Sequence, residues 1–126
     1  MTTMVCFRAL GAAYCIQVDS TRAVLRSAGM IALPAPHPDV AGIIPGDPPL
    51  TVISPLGTGG GHILVVETGR QTFGLQVDAV TGLRTVDDAD IHPAPDGQDR
   101  ELICGMIDAW GPLVLVADAD ALAARL

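Results

Sequence analysis

The 126-residue chain contains no lysine; its seven basic residues are all arginine, and 14 acidic residues leave a net charge of −7. Without a basic face it cannot neutralise a phosphate backbone, so nucleic acid is excluded as a partner, and an anionic bilayer surface is disfavoured for the same reason. Aromatic residues are almost as scarce. With only Phe7, Tyr14, Phe73 and Trp110, the core must be built from Val, Leu, Ile and Ala, a mixture that favours strands. No apolar run approaches the roughly 18 residues of a membrane span. The N-terminal "MTTMVCFRALGAAYCIQV" lacks a basic leader and is broken by Arg8, so neither export nor membrane insertion is expected. Cys6, Cys15 and Cys104 are an odd number, without ligand spacing and each in an apolar stretch. They read as reduced, buried structural thiols of a cytoplasmic protein.

What the chain does have is a repeat. "YCIQVD" (residues 14–19) returns as "FGLQVD" (residues 73–78), and the offset of 59 holds without a gap from Met4 over Ile63 to Val24 over Leu83. Each copy has a short apolar run, a turn (residues 10–13 and 69–72), then strict alternation: Tyr14, Ile16 and Val18 against Cys15, Gln17 and Asp19, and Phe73, Leu75 and Val77 against Gly74, Gln76 and Asp78. Period two predicts a β-hairpin with one buried face in each copy. Asp19 and Asp78 end these strands, where a carboxylate is expected to cap the following turn rather than form a catalytic pair.

A second repeat follows at an offset of 63. Residues 40–44, "VAGII", lie over 103–107, "ICGMI", and 49–53, "PLTVI", over 112–116, "PLVLV". Two more hairpins are predicted, with Gly42 and Gly105 relieving crowding and with "PGDPP" (45–49) and "DAWGP" (108–112) as turns. The whole is one all-β domain, residues 1–126, made of two homologous subdomains: about 1–56, then a Gly-rich hinge at 57–61, then about 62–117. Residues 118–126 read as a short helix packed back on them. "PAPHP" (34–38) and "HPAPDGQ" (92–98) are matching connectors.

The residues that could carry chemistry do not converge. His37, His62 and His92 sit beside Pro or Gly without paired spacing and read as exposed loop histidines. Cys104 as a thiol nucleophile has no orienting group nearby in sequence. "GTGGGH" lacks the lysine and following helix of a phosphate loop and reads as a flexible linker. No catalytic, metal-binding or cofactor-binding residue is assigned. Two small barrels side by side instead offer a crevice for a helix or another protein. Val24, Val80 and Leu83, just after the duplicated strands, either line it or fill the contact between the halves.

The segments "ILVVETGRQTFGLQVDAVTGLRTVDDADIHPAP" and "ICGMIDAWGPLVLVADADAL" closely resemble the second half of the CheW-like domain of bacterial chemotaxis. "MVCFRALGAAYCIQVDSTRAVLR" through "VAGIIPGDPPLTVISPL" resembles its opening hairpin and its V-x-G-x-x-N-x-R-G-x-x-x-P-V-x-D-L segment. The resemblance implies two SH3-like five-stranded β-barrels and a non-catalytic adaptor that couples the regulatory domain of a histidine kinase to the cytoplasmic tip of a chemoreceptor. It implies receptor-facing positions at Thr21, Val24, Gly42, Asp47, Pro48, Gly74, Val80, Leu83 and Gly105, with Ala23 toward the kinase. The chain departs from the motif at Pro45, Asp47, Pro48 and Pro55, which stand where the family writes Asn, Arg, Gly and Asp. Asp47 reverses the local charge, and like charges across an interface cost several kcal/mol. Pro45, Pro48 and Pro49 remove backbone donors, which predicts an unpaired exposed edge. Two further readings follow: a regulatory scaffold that binds the kinase but not receptors, and a small enzyme or ligand-binding barrel using Cys104 or the histidines.

Overall fold

The computed structural model describes residues 1–33, 39–57, 60–69, 71–97 and 101–126. The connector at 34–38, with His37, lies outside these, as do Thr58 and Gly59 of the expected hinge and Gln98 of the second connector. Eleven strands and one helix are described: β1 Thr2–Ala9, β2 Ala12–Gln17, β3 Thr21–Arg26, β4 Ile31–Ala32, β5 Val40–Ile44, β6 Leu50–Ile53, β7 His62–Glu67, β8 Thr72–Val77, β9 Ala79–Val86, β10 Ile103–Ile107, β11 Val114–Ala117 and α1 Ala119–Ala123.

The strands form a five-stranded sheet in the order β10-β11-β2-β1-β9 and a six-stranded sheet in the order β3-β7-β8-β6-β5-β4. Under the repeat, β1, β2 and β3 correspond to β7, β8 and β9, and β5 and β6 to β10 and β11. Read in that correspondence, the two sheets have the same order, but each takes its leading hairpin from the other half of the chain. Hairpin β1-β2 joins β9, β10 and β11, while β7-β8 joins β3, β5 and β6. The duplication is thus intertwined, and sheet membership does not follow the division at 57–61. The two-residue β4 is the addition; its counterpart in the other sheet is a single bridge, His92 to Met106.

Registers repeat as well. Cys6 opposes Cys15 as Val65 opposes Gly74. The β1-β9 and β3-β7 ladders slip at corresponding points, leaving Thr81 and Arg22 as the extra residues. The β10-β11 and β5-β6 ladders likewise leave out Cys104 and Ala41. One alignment changes. Gly42 pairs Val52 and Gly105 pairs Val116, so β6 and β11 correspond at an offset of 64, because the second turn is one residue longer. Leu113 falls in that turn and is exposed.

The expectation of a single buried face per hairpin is corrected. In β8, Phe73 to Val77 are all buried, and in β2 the adjacent Cys15 and Ile16 are both buried. In β8 the second face is covered by Ile63 and Val52 over Gly74 and by the segment at Gly60 over Gln76; in β2 the reason is that two cores form. Val5, Phe7, Ile16, Ile53, Leu64, Phe73 and Leu75 pack in the larger, and Met4, Cys6, Cys15, Val86, Ile107 and Val116 in the smaller, on the other side of hairpin β1-β2. Each such aliphatic side chain stabilises the fold by about 1.5–3 kcal/mol. Gln76, buried in β8, donates to the Gly60 carbonyl at 2.9 Å. Gly60 itself is buried, and a Cβ there would lie 2.2 Å from the Val77 carbonyl oxygen. The described Gly60 end of the expected linker is therefore pinned.

Several other expectations are corrected. Gln17, not Asp19, precedes the 3-10 turn Val18–Ser20, which has no side-chain cap. Asp78 instead accepts the amide of Leu10 at 2.9 Å, tying the β1-β2 turn to β9. His62 opens β7, with Nδ1 2.9 Å from the Asp78 carbonyl oxygen, and His92 is the bridging residue, not a free loop histidine. Cys104 is exposed rather than buried, because the bulge lifts it from the ladder. Residues 45–49 form an exposed turn, and β5 is paired on both sides, so the prolines create no unpaired strand edge. Helix α1 is shorter than residues 118–126: Asp118 caps it, accepting from Asp120 and Ala121, and Leu122 anchors it in the larger core. Arg125 follows the helix and pairs with Asp39 and Glu101. Gly42 and Gly105 sit as expected at crowded points, where a Cβ would meet the Ile31 carbonyl oxygen at 2.4 Å and that of His92 at 2.9 Å.

Candidate functional site: a groove between two edge strands

β3 and β9 are the edge strands of their respective sheets, and between them lies a groove of about 230 Å³. Its floor is Val5 and Leu64, from the strands that β9 and β3 pair with, and its walls include Thr21, Arg22, Ala23 and Val24 on one side and Val80, Gly82 and Leu83 on the other. Four consecutive residues of β3 reach the groove because the bulge at Arg22 breaks the alternation of the strand and re-aims its neighbours. Thr21 is held by its hydroxyl, which donates to the Val18 carbonyl at 2.8 Å. Arg22 is held by Glu67 at 2.9 Å. Val24 and Leu83 are 46% and 64% exposed, which for large apolar side chains on facing edges leaves a surface suited to another protein.

The groove has the symmetry of the repeat. Val5 and Leu64, Thr21 and Val80, Ala23 and Gly82, and Val24 and Leu83 are four pairs separated by 59 residues, and all eight line it. Five of the sequence-derived positions, Thr21, Ala23, Val24, Val80 and Leu83, are therefore brought together. Val5, Val18, Arg22, Leu64 and Gly82 were missed, although the offset of 59 alone relates Val5 to Leu64 and Gly82 to the already named Ala23.

The other positions are not at the groove. Asp47 and Pro48 lie exposed in the β5-β6 turn, on strands separated from β3 by β7 and β8. Gly42, Gly74 and Gly105 are buried. A Cβ on Gly74 would meet Ile63 Cγ2 at 2.6 Å, so these glycines let strands pack and present no side chain.

A model of the CheW-like domain family matches residues 50–126. The chain belongs to the CheW-like domain family. Its fold is CheW-like and all-β, with sheets of five and six strands as two SH3-like subdomains. The crystal structure of scaffolding protein TtCheW from Thermoanaerobacter tengcongensis is similar, with a TM-score of 0.81 at 22% identity over 93% of this chain and 88% of that one. That likeness establishes the fold. No curated protein matches the chain. The CheW-like family comprises scaffold and coupling proteins of chemotaxis signalling. Among the described residues of this CheW-like chain, no helix is long and apolar enough to cross a membrane.

Catalytic chemistry finds little footing at the thiols. Although Cys104 is exposed as a residue, partial desolvation of its sulfur and the Asp118 carboxylate push the thiol up, away from an activated thiolate, and its Sγ donates to the Val116 carbonyl at 3.6 Å. Burial, with Cys6 and Cys104 adding to it, pushes Cys15 up to about 12.

Proposed function

We propose that this CheW-like chain is a non-catalytic cytoplasmic adaptor that couples the regulatory domain of a chemotaxis histidine kinase to the helical tip of a chemoreceptor, beside receptor arrays at the inner membrane. The observation that carries the proposal is the groove itself: edge strands from the two halves present Val24 and Leu83 to solvent over an apolar floor. An amphipathic helix docks into such a groove through apolar side chains spaced at i, i+3 and i+4. Ala23, implied by the family resemblance as a kinase-facing position, lines the same groove.

The deciding experiment is titration calorimetry against a soluble receptor signalling fragment and, separately, a kinase regulatory domain. The adaptor reading expects both to bind, with receptor heat lost in Leu83→Glu. Receptor binding unchanged in Leu83→Glu overturns the assignment of the groove.

A second reading is favoured by Asp47, which places a negative charge where the family motif carries arginine. In that reading the chain is a regulatory scaffold that retains the kinase and has given up receptors. It expects kinase binding alone, with receptor affinity appearing only in Asp47→Arg.

A further inference from the structure

A cavity of about 440 Å³ lies at the open end of the smaller core, bordering the groove at Gly82 and Leu83. Its volume is that of a small-molecule site, which typically spans about 300–1,000 Å³. Cys6, Arg8, Tyr14, Arg84, Trp110 and Val114 are among its walls. The cavity exists because Cys6 faces Gly82 across the β1-β9 ladder, and a Cβ on Gly82 would meet nothing within 4 Å. Gly82 has φ +146°, a backbone conformation that keeps glycine there and so keeps the space open.

Two guanidinium groups line this cavity in a chain of net charge −7. Among the described residues, the arginine ion pairs are those of Arg22 with Glu67 and of Arg125 with Asp39 and Glu101; none includes Arg8 or Arg84. Both groups are nonetheless held in place. Arg84 lies over the Trp110 ring, 5.1 Å from its centre, and Arg8 donates one N–H to the Gly11 carbonyl at 2.9 Å. A guanidinium stacked on an aromatic face keeps the edges of its fork for a carboxylate, and one with a single donor engaged keeps four more. Arg84 also lies close enough to Cys6 to draw its thiol down against the upward effect of burial.

We propose that this cavity binds a small carboxylate with an apolar or aromatic body, the carboxylate on Arg84 and Arg8 and the body against Tyr14, Trp110 and Val114. Arginine forks match a carboxylate in two parallel hydrogen bonds, and the apolar walls exclude a bare inorganic anion as the best fit. The site adjoins the coupling groove, sharing Gly82 and Leu83 with it, but Arg8, Tyr14, Arg84, Trp110 and Val114 are not groove residues and the proposal does not depend on that function.

Trp110 is the only tryptophan and forms part of the wall, so its emission reports on the cavity directly. The full chain is titrated at constant ionic strength with benzoate, with benzylamine as the same body carrying the opposite charge, and with inorganic phosphate. Benzoate is expected to give a saturable change in emission below roughly 10 mM and benzylamine none, with phosphate weaker than benzoate. Arg8→Gln and Arg84→Gln are expected to weaken benzoate about tenfold or more. Arg84→Lys, which keeps the charge and loses the fork, is expected to weaken it as well. Circular dichroism matching that of the unmodified chain shows that each variant is folded. No saturable response to benzoate, an equal response to benzylamine, phosphate binding as tightly as benzoate, or folded glutamine variants that bind benzoate undiminished each overturn the proposal.

Discussion

The two glycines in equivalent places show how much a single missing methyl group decides. At Gly42 a Cβ would lie 2.4 Å from the Ile31 carbonyl oxygen and 2.7 Å from Met30 Cγ, whereas at Gly105 the nearest atom is the His92 carbonyl oxygen at 2.9 Å. The difference follows from β4, which gives Gly42 a paired strand to collide with where Gly105 has a single bridge. Gly42→Ala is expected to destabilise the fold by about 1–3 kcal/mol, the range for overpacked sites, and Gly105→Ala by less. Urea unfolding of both variants checks the order, and equal losses would show that β4 yields. The thiols allow a second prediction at this scale. Cys15 is raised from 9.0 to about 12 in the fold, so above pH 9 the unfolded chain releases this proton while the folded one keeps it. Stability is therefore full below pH 9 and lost as pH rises toward 12. Melting temperature measured from pH 8 to 10.5 is expected to fall, and Cys15→Ala to flatten the fall. These residues also mark what sequence could show. That Gly42 and Gly105 relieve crowding followed from their places in the repeat. That Cys104 leaves the ladder did not, because a bulge is a choice of register between strands, and the local alternation of "ICGMI" reads the same with or without it.

At the scale of elements, the hairpins were legible and their partners were not. Period-two alternation and the offset of 59 mark β1, β2, β7 and β8 and their turns to within about a residue. The offset does not say whether β9 pairs with β7, from its own half of the chain, or with β1, since both strands offer the same apolar pattern. The chain adopts the second arrangement, and the groove is its consequence: β3 and β9 become the edges of two different sheets and face each other. Half of the sequence-derived positions come together at the groove because they lie on β3 and β9. The rest lie elsewhere, since a motif read along one strand carries no information about which turn or which buried strand the fold brings beside it. Val24 and Leu83 occupy equivalent places on the two edges, which gives the groove two comparable walls. On the adaptor reading, Val24→Glu and Leu83→Glu are both expected to abolish receptor binding while shifting the melting temperature little, because surface substitutions usually cost within about 0.5 kcal/mol. Calorimetry together with thermal unfolding separates the two effects. Loss of binding with Leu83→Glu alone would assign the contact to β9 and leave β3 as a passive wall.

For the whole molecule, the exchange of hairpins determines what can fold by itself. In residues 1–57, β1-β2 would lack β9 and β11, and β3, β5 and β6 would lack β7 and β8; residues 60–126 would lack the reciprocal set. The larger core mixes Val5, Phe7 and Ile16 with Leu64, Phe73 and Leu75, so cutting the chain at the middle divides its apolar contacts as well as its ladders. Neither piece retains a complete sheet, and an isolated hairpin is at best marginally stable in water. Each piece does carry everything the other lacks. Fragments 1–57 and 60–126 are therefore expected to show no dispersed amide spectrum as separate monomers and to recover strand signal and a cooperative melt when mixed at equal concentration. A fragment that folds alone as a monomer would mean that its hairpin can turn back onto its own half, and that the exchange is a consequence of linkage rather than of strand complementarity. Recovery on mixing would instead show that complementarity between the halves is enough, without the covalent link through residues 58 and 59. It would also account for the two edge strands facing across one groove, since a dimer of identical halves exchanging hairpins about a two-fold axis would place its paired edges in the same way.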